Sequence, residues 1–173
     1  MAGIAVPALH ATRDRDVARL AARHLAVRMQ QLRLEALRRN ASVALRFDPD
    51  DSGRLRAYID GDGDGVLQRD VDSGTDRPLE GDTRLAEGFS GVTLEIAHDV
   101  PDPDGSGLLV AGSDPIRIGA SNFATFSPLA TATSGTVYLA APRGPQVCVR
   151  ILGATGRLRV MWFDSVSRSW RQD

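Results

Sequence analysis

Arg13-Asp-Arg-Asp-Val-Ala-Arg-Leu-Ala-Ala-Arg-His-Leu-Ala-Val-Arg-Met-Gln-Gln-Leu-Arg-Leu-Glu-Ala-Leu-Arg-Arg-Asn40 is the stretch on which the fold turns. It contains neither Gly nor Pro. Its apolar residues Val17, Leu20, Ala21, Leu25, Met29, Leu32 and Ala36 recur with helical spacing and form one broad stripe. Arg15, Arg19, Arg23, Arg33 and Arg38 fall mainly outside that stripe. Asp16 with Arg19, and Glu35 with Arg38 or Arg39, stand at helical pairing distance, each pair worth roughly 0.2–0.5 kcal/mol. Asn40 reads as the stop. Upstream, Ala2 to Leu9 is apolar and holds Pro7, which the first turn of a helix tolerates. The spacing predicts a helix over about 10–40. Some 30 residues make a rod on the order of 45 Å long, too long for so small a domain to cover, so its N-terminal part is expected to project.

The rest of the chain, 41–173, reads as β-rich. Ser42-Val-Ala-Leu-Arg-Phe47 and Arg54-Leu-Arg-Ala-Tyr-Ile59 flank the turn-forming run Asp48-Pro-Asp-Asp-Ser-Gly53, a hairpin pattern. An acidic loop from Asp60 to Asp76 follows. Val92-Thr-Leu-Glu-Ile96 alternates like a strand, and Asp99 to Asp114 reads as a long surface loop. Phe123-Ala-Thr-Phe126 is a short strand. Gly135–Ala140, Gln146–Leu152 and Arg157–Phe163 are three strands with the punctuation of an antiparallel meander. A helix first and strands afterwards predict one α+β domain, the long N-terminal helix packed on an antiparallel β-sheet, divided into one sheet or two.

The chain has 173 residues, a single domain's length, and a net charge of −1 that is unevenly spread. Residues 1–47 carry nine Arg and three acids, residues 48–114 five Arg and seventeen acids, and residues 115–173 seven Arg and two acids. An acidic middle between basic ends either neutralises itself across the fold or attracts cations and phosphates to different regions. Cys148 is alone, which excludes an intrachain disulfide and a Cys-based zinc site, and its alternating surroundings predict a buried thiol. No window reaches the length of an apolar membrane span, and no complete signal peptide is present. His10, His24 and His98 have no metal spacing, and Ser127 and Ser134 lack a nucleophile elbow, so no constellation supports an enzyme.

Four segments resemble the minor pseudopilins and pilin-like proteins of the GspH/FimT type. They are Gly3-Ile-Ala-Val-Pro7, Leu32-Arg-Leu-Glu-Ala-Leu-Arg-Arg-Asn40, Phe126-Ser-Pro-Leu-Ala-Thr-Ala-Thr-Ser-Gly-Thr-Val-Tyr-Leu139 and Ile151-Leu-Gly-Ala-Thr-Gly-Arg-Leu-Arg-Val160. The resemblance implies a pilin-like fold and a non-enzymatic subunit of a type II secretion pseudopilus, acting in filament assembly or at the tip. Its implied partners are other pilin-like subunits and the inner-membrane assembly platform. It places the globular domain, residues 10–173, in the periplasm and makes residues 1–9 the stub of a membrane-anchor helix. Such proteins begin with a basic leader, a prepilin-peptidase site and an apolar half-helix bearing a glutamate. Met1 stands where that half-helix is still running, so a truncated chain, or else a mis-called start, is the expectation, and processing, methylation and membrane insertion carry over to no residue here. The alternative is a DNA-binding minor pilin of a type IV pilus active in DNA uptake.

Two motifs are candidate sites. In Asp60-Gly-Asp-Gly-Asp-Gly65, carboxylates alternate with glycines as in the first half of an EF-hand loop. Asp60, Asp62, Asp64, the Val66 carbonyl and Asp70 are the candidate ligands of a structural Ca²⁺. Position twelve of such a loop is Val71, not Glu, so this is not an EF-hand, and Asp72 or Asp76 would have to close a different cage. The competing reading is a solvated turn whose Asp and Gly serve geometry alone. In Gly156-Arg157-Leu158-Arg159, two arginines on one strand face share a spacing of about 6–7 Å. DNA-uptake members of the family resemble this segment. With Arg150 these arginines are the candidate nucleic-acid contacts; the competing reading is an ordinary solvent face. No other cofactor is implied.

Overall fold

The computed structural model describes residues 5–48 and 53–173, with side chains from residue 13 onward. Residues 1–4 of the expected N-terminal stub, the side chains of its remainder and most of the turn after Asp48 lie outside the described residues, while the helix begins at Ala5, earlier than the residue 10 expected from spacing.

Helix α1 spans Ala5–Arg39. It presents Ala18, Ala21, Ala22, Leu25, Met29, Leu32 and Ala36 to the core, each at most 1% exposed. Ala18, Ala21 and Ala22 fill the first two buried turns. The helix ends as its sequence predicts. Asn40 takes a left-handed conformation (φ 51°), Asn40 N–H donates to Leu37 O (3.4 Å) and Ala41 N–H donates to Ala36 O (3.3 Å). These two bonds are the Schellman pattern, with Asn in the place usually held by Gly. Glu35 pairs with both Arg38 (2.7 Å) and Arg39 (2.9 Å) in the last turns, where cations also favour the helix dipole.

The strands form two antiparallel sheets under the helix. β1 (Val43–Asp48) and β2 (Arg54–Ile59) make the expected hairpin, in register Val43↔Ile59 to Asp48↔Arg54. Helix α2 (Gln68–Ser73), β3 (Arg77–Pro78), β4 (Thr83–Arg84) and helix α3 (Leu85–Gly88) follow, and β3 and β4 both pair with β2. A separate hairpin, β5 (Val100–Pro101) with β6 (Leu108–Leu109), precedes β7 (Ile116–Ile118). β8 (Phe123–Phe126) returns to the first sheet and pairs with β1. β9 (Gly135–Leu139), β10 (Val147–Leu152), β11 (Arg157–Asp164) and β12 (Ser169–Gln172) build the second sheet, in the order β12-β11-β10-β9-β7.

α1 lies across both sheets, touching β1 and β8 of the first and β10 and β11 of the second. Val43, Leu45 and Phe47 of β1 and Val147, Val149 and Ile151 of β10 meet it in one core. The opposite face of the second sheet is covered by the β5–β6 hairpin, where Tyr138 and Cys148 pack against Ile96, Val100 and Leu109. Trp170 closes that layer, donating from Nε1 to Pro101 O (2.7 Å).

Four expectations are corrected. Leu20 was read into the core stripe but is 51% exposed, and Ala18 and Ala22 take the buried positions instead. Val92–Ile96 is not a strand; only Thr93 bridges to Ala140. Its alternation is a burial pattern, with Val92, Leu94 and Ile96 buried. Its neighbouring backbone is served by a side chain: buried Gln146 accepts from Ala97 N–H at Oε1 (2.8 Å) and donates from Nε2 to Glu95 O and Leu139 O (both 2.9 Å). The acidic loop contains α2, and the long loop 99–114 contains the β5–β6 hairpin. β7 and β12 were not foreseen, because three and four residues are too few to show a period.

Candidate functional site

The face of α1 turned away from the sheets carries Leu20 (51% exposed), Val27 (57%) and Leu34 (55%), with Leu37 a turn further on. The first three are seven residues apart and so lie along one line, about 10.5 Å between neighbours. Arg23, with its side chain 56% exposed, and Arg38, at 66%, flank the line. The line's far edge is a contact between the His24 and Phe89 rings, centroids 5.4 Å apart. Among the described residues these side chains stay exposed. An inward stripe packed on sheets and an outward stripe left free make α1 a two-sided helix. Its outward side is suited to another helix.

In the acidic loop, ligand oxygens of Asp60, Asp62 and Asp76 lie within 4.8 Å of one another, and so do those of Asp62, Asp64 and Asp70. The two triads share Asp62. Asp76 is 1% exposed and organises the loop: Oδ1 accepts from Gly61 N–H (3.0 Å) and Oδ2 from Leu67 N–H (2.9 Å). Asp60 accepts from the N–H groups of Asp62 (3.1 Å), Gly63 (2.7 Å) and Gly65 (2.9 Å). Gly63 and Gly65 hold φ of 91° and 98°, which any side chain would resist. Arg69 pairs with Asp64 and with Asp70 (3.2 Å). Desolvation within the loop, then the neighbouring Asp62 charge, raise the Asp64 carboxyl from its ordinary value. Val66 serves the loop through its side chain, buried against Ala44, Tyr58 and Phe123. Of the predicted set, Asp60 and Asp62 fall in one triad and Asp62, Asp64 and Asp70 in the other. Asp76, named only as a possible closing group from sequence, is the loop's anchor.

The predicted arginines share one face. β10 and β11 pair Arg150 opposite Arg159, and Arg157 follows two places from Arg159 on the same side. The row continues across the sheet: Arg150 opposes Thr136, and Thr136 opposes Arg117 of β7. This face is not uniformly basic. Asp102, its side chain 5% exposed, lies 3.8 Å from Arg117, and Asp104 lies 4.0 Å from Arg150. An open cleft of about 730 Å³ separates the row from the β5–β6 turn, with Tyr138 in its lining. Sequence reading missed Arg117, since it stands alone in its segment and only the register brings it beside Arg150.

Beneath the cleft, burial pushes the Cys148 thiol well above its ordinary pKa, with a smaller opposing influence from Arg150. That is the environment of an inert core cysteine. At the other end of the sheet, Asp173 is clamped between Arg19 and Arg23 (2.5 Å). The guanidinia of Arg15 and Arg19 lie 4.6 and 5.1 Å from the centroid of the Trp162 ring.

The family model of the type II transport protein GspH matches residues 21–155, most of the length of the chain. The chain belongs to the GspH family. Two solved structures of the minor pseudopilin EpsH, from the type II secretion system of Vibrio cholerae, share its fold. One superposes with a TM-score of 0.53 at 17% identity, covering 84% of this chain and 94% of EpsH. The other gives 0.52 at 16% identity, covering 83% and 94%. No curated protein sequence matches significantly. The pilin-like α+β fold expected from sequence is therefore shown. Among the described residues no helix is long and apolar enough to cross a membrane.

Proposed function

We propose that this GspH-family chain is a non-enzymatic minor subunit of a type II secretion pseudopilus, acting by packing α1 against helices of neighbouring pilin-like subunits during assembly or at the filament tip. The observation that carries this reading is the outward line of Leu20, Val27 and Leu34 on a helix whose other side is already buried. Family membership and the EpsH fold support it. In this reading the domain is periplasmic, and an N-terminal apolar half-helix joins it to the inner membrane and its assembly platform. The test is Val27→Asp with Leu34→Asp in a full-length protein with its anchor. The double variant should fold with an unchanged melting temperature as an isolated domain and should abolish substrate release in a secretion-competent cell. Normal release by that variant would refute the packing role.

The acidic loop supports a second role, Ca²⁺ as a structural ion. Asp60 and Asp76 each spend oxygens on backbone N–H groups, but a carboxylate oxygen has two lone pairs and can hold an N–H and a cation together. The convergence of Asp60, Asp62 and Asp76 within 4.8 Å favours it. Calorimetric titration should show heat at or below millimolar Ca²⁺, abolished in Asp62→Asn; no heat leaves the loop a self-bonded turn. The nucleic-acid alternative, DNA uptake through Arg150, Arg157 and Arg159, has the shared face in its favour and the carboxylates of Asp102 and Asp104 against it. A low-salt gel shift retarded by the wild type and not by Arg157→Ala with Arg159→Ala would establish it.

A further inference from the structure

The outward line of α1 carries charge as well as apolar surface. Arg13 continues it one heptad above Leu20, Arg23 flanks it three residues after Leu20, and Arg38 flanks it four residues after Leu34. Between Arg13 and Arg39 the helix holds eight arginines and three acids. Two more carboxylates reach it from elsewhere, Glu80 at Arg28 and Asp173 at Arg19 and Arg23. With all five acids counted, a surplus of three positive charges remains. Two of the acids are shared: Glu35 serves Arg38 and Arg39, and Asp173 serves Arg19 and Arg23, so each of these clusters keeps one positive charge. Beside the line runs an open groove of about 580 Å³ between α1 and the β4–α3 segment, with His24, Gln31, Leu55, Leu85 and Phe89 in its wall. The charges in that wall, Arg28 and Arg84 with Glu80 and Glu87, balance one another.

We infer, on the helix-packing reading, that the partner of this face is an acidic amphipathic helix of a different subunit and not a second copy of this chain. The apolar line is matched by a line of leucine-sized side chains, and a partner side chain on the His24 edge enters the groove. The surplus on α1 sets the partner's flanks. Carboxylates on either side of its apolar line meet Arg23 and Arg38, whereas a second α1 brings surplus against surplus. The apolar area is small: three side chains just over half exposed fall far short of the roughly 800 Å² per partner that a stable complex of free proteins buries. The contact is therefore weak between free domains. It forms where both helices are held side by side, at effective concentrations on the order of millimolar.

The experiment is amide chemical-shift titration of this isotope-labelled chain, at neutral pH and low salt, with two amphipathic helical peptides of about 28 residues, or four heptads. Both carry leucine at the a and d positions; one has glutamate at the flanking positions and its twin has arginine there. Like charges keep each peptide from pairing with itself. The acidic peptide should give saturable shifts along residues 20–38, with half-saturation on the order of 0.1–1 mM, and should bind at least about tenfold tighter than the basic twin. Salt raised to about 0.5 M should remove most of that preference. Val27→Asp should weaken the acidic peptide about tenfold or more. Arg38→Glu should cut the preference several-fold, and Arg38→Gln, which spares the helix end a reversed charge, should cut it less. Sedimentation of the chain alone at about 100 μM should show a monomer. A basic twin that binds α1 as tightly as the acidic peptide, or a dimer that Val27→Asp dissolves, overturns the inference and leaves helix packing standing. Saturable shifts with neither peptide also overturn it; substrate release by the Val27→Asp with Leu34→Asp variant then judges the packing role separately.

Discussion

Replacing Gln146 with Leu should cost the domain about 3 kcal/mol. The Gln146 side chain is 1% exposed and makes three hydrogen bonds to backbone groups of two separate segments, 95–97 and Leu139. Leu fills nearly the same volume, so packing changes little, but it takes away one acceptor and two donations. A buried backbone group left without its partner costs about 1–3 kcal/mol, and each lost bond is worth about 1 kcal/mol net. Three bonds at the lower figure give roughly 3 kcal/mol, against a total stability of order 5–15 kcal/mol. For a chain of this length that is a fall in melting temperature of about 6–12 °C. Urea unfolding with an unchanged slope would show that stability and not compactness had changed. Gln146→Glu should be worse at neutral pH, since it sets a carboxylate oxygen against two carbonyls. A Leu variant within about 0.5 kcal/mol of wild type would refute the reasoning, because the 92–97 segment would then be held by packing alone.

Three other outcomes follow from the ends of α1 and from the core. Asn40→Gly should stabilise by about 0.5–1 kcal/mol in urea unfolding, and Asn40→Ala should destabilise, since only the left-handed conformation closes the cap. Burial acts to raise the Asp173 carboxyl, but the hydrogen bonds from Arg19 and Arg23 together outweigh it and hold it below the usual range. The clamp's stabilisation should therefore be complete above about pH 4 and be lost as pH falls through the lowered value, so Asp173→Asn should remove part of the pH dependence of melting between about pH 5 and 2. Cys148 should react with a thiol reagent only as fast as the domain opens, and the rate should rise with urea in step with unfolding.

How far the fold could be read depended on where each segment's partners lie. α1 declared itself because its period is repeated over many turns, and Asn40 because left-handed residues are few in kind. β1, β2 and the run from β9 to β11 are each five or more residues long and bounded by turns, so their period was visible. Val92–Ile96 misled because alternation records which side is buried, not what the backbone bonds to, and the bonding partner was a glutamine fifty residues on. Leu20 misled for a related reason. It sits at the edge of a stripe wide enough to include it, and only the position of the sheets decides that Ala18 and Ala22 face inward. In the candidate sites, the short-range acidic cluster was legible in one stretch. The arginine row was not, because Arg117 and Arg150 meet only through strand register.

The way α1 sits on two sheets at once has a mechanical side. A helix held by one sheet's edge can be peeled away, its contacts failing in turn from one end. Here a pull along the helix axis loads the contacts with β1, β8, β10 and β11 together, in shear, and the Schellman cap closes the end nearest β1. Sheared contacts share the load and give way as a group, so the domain resists axial traction until it fails in a single step, at a force set by its unfolding barrier. Tension applied along the helix would thus reach the body of the domain through both sheets at once.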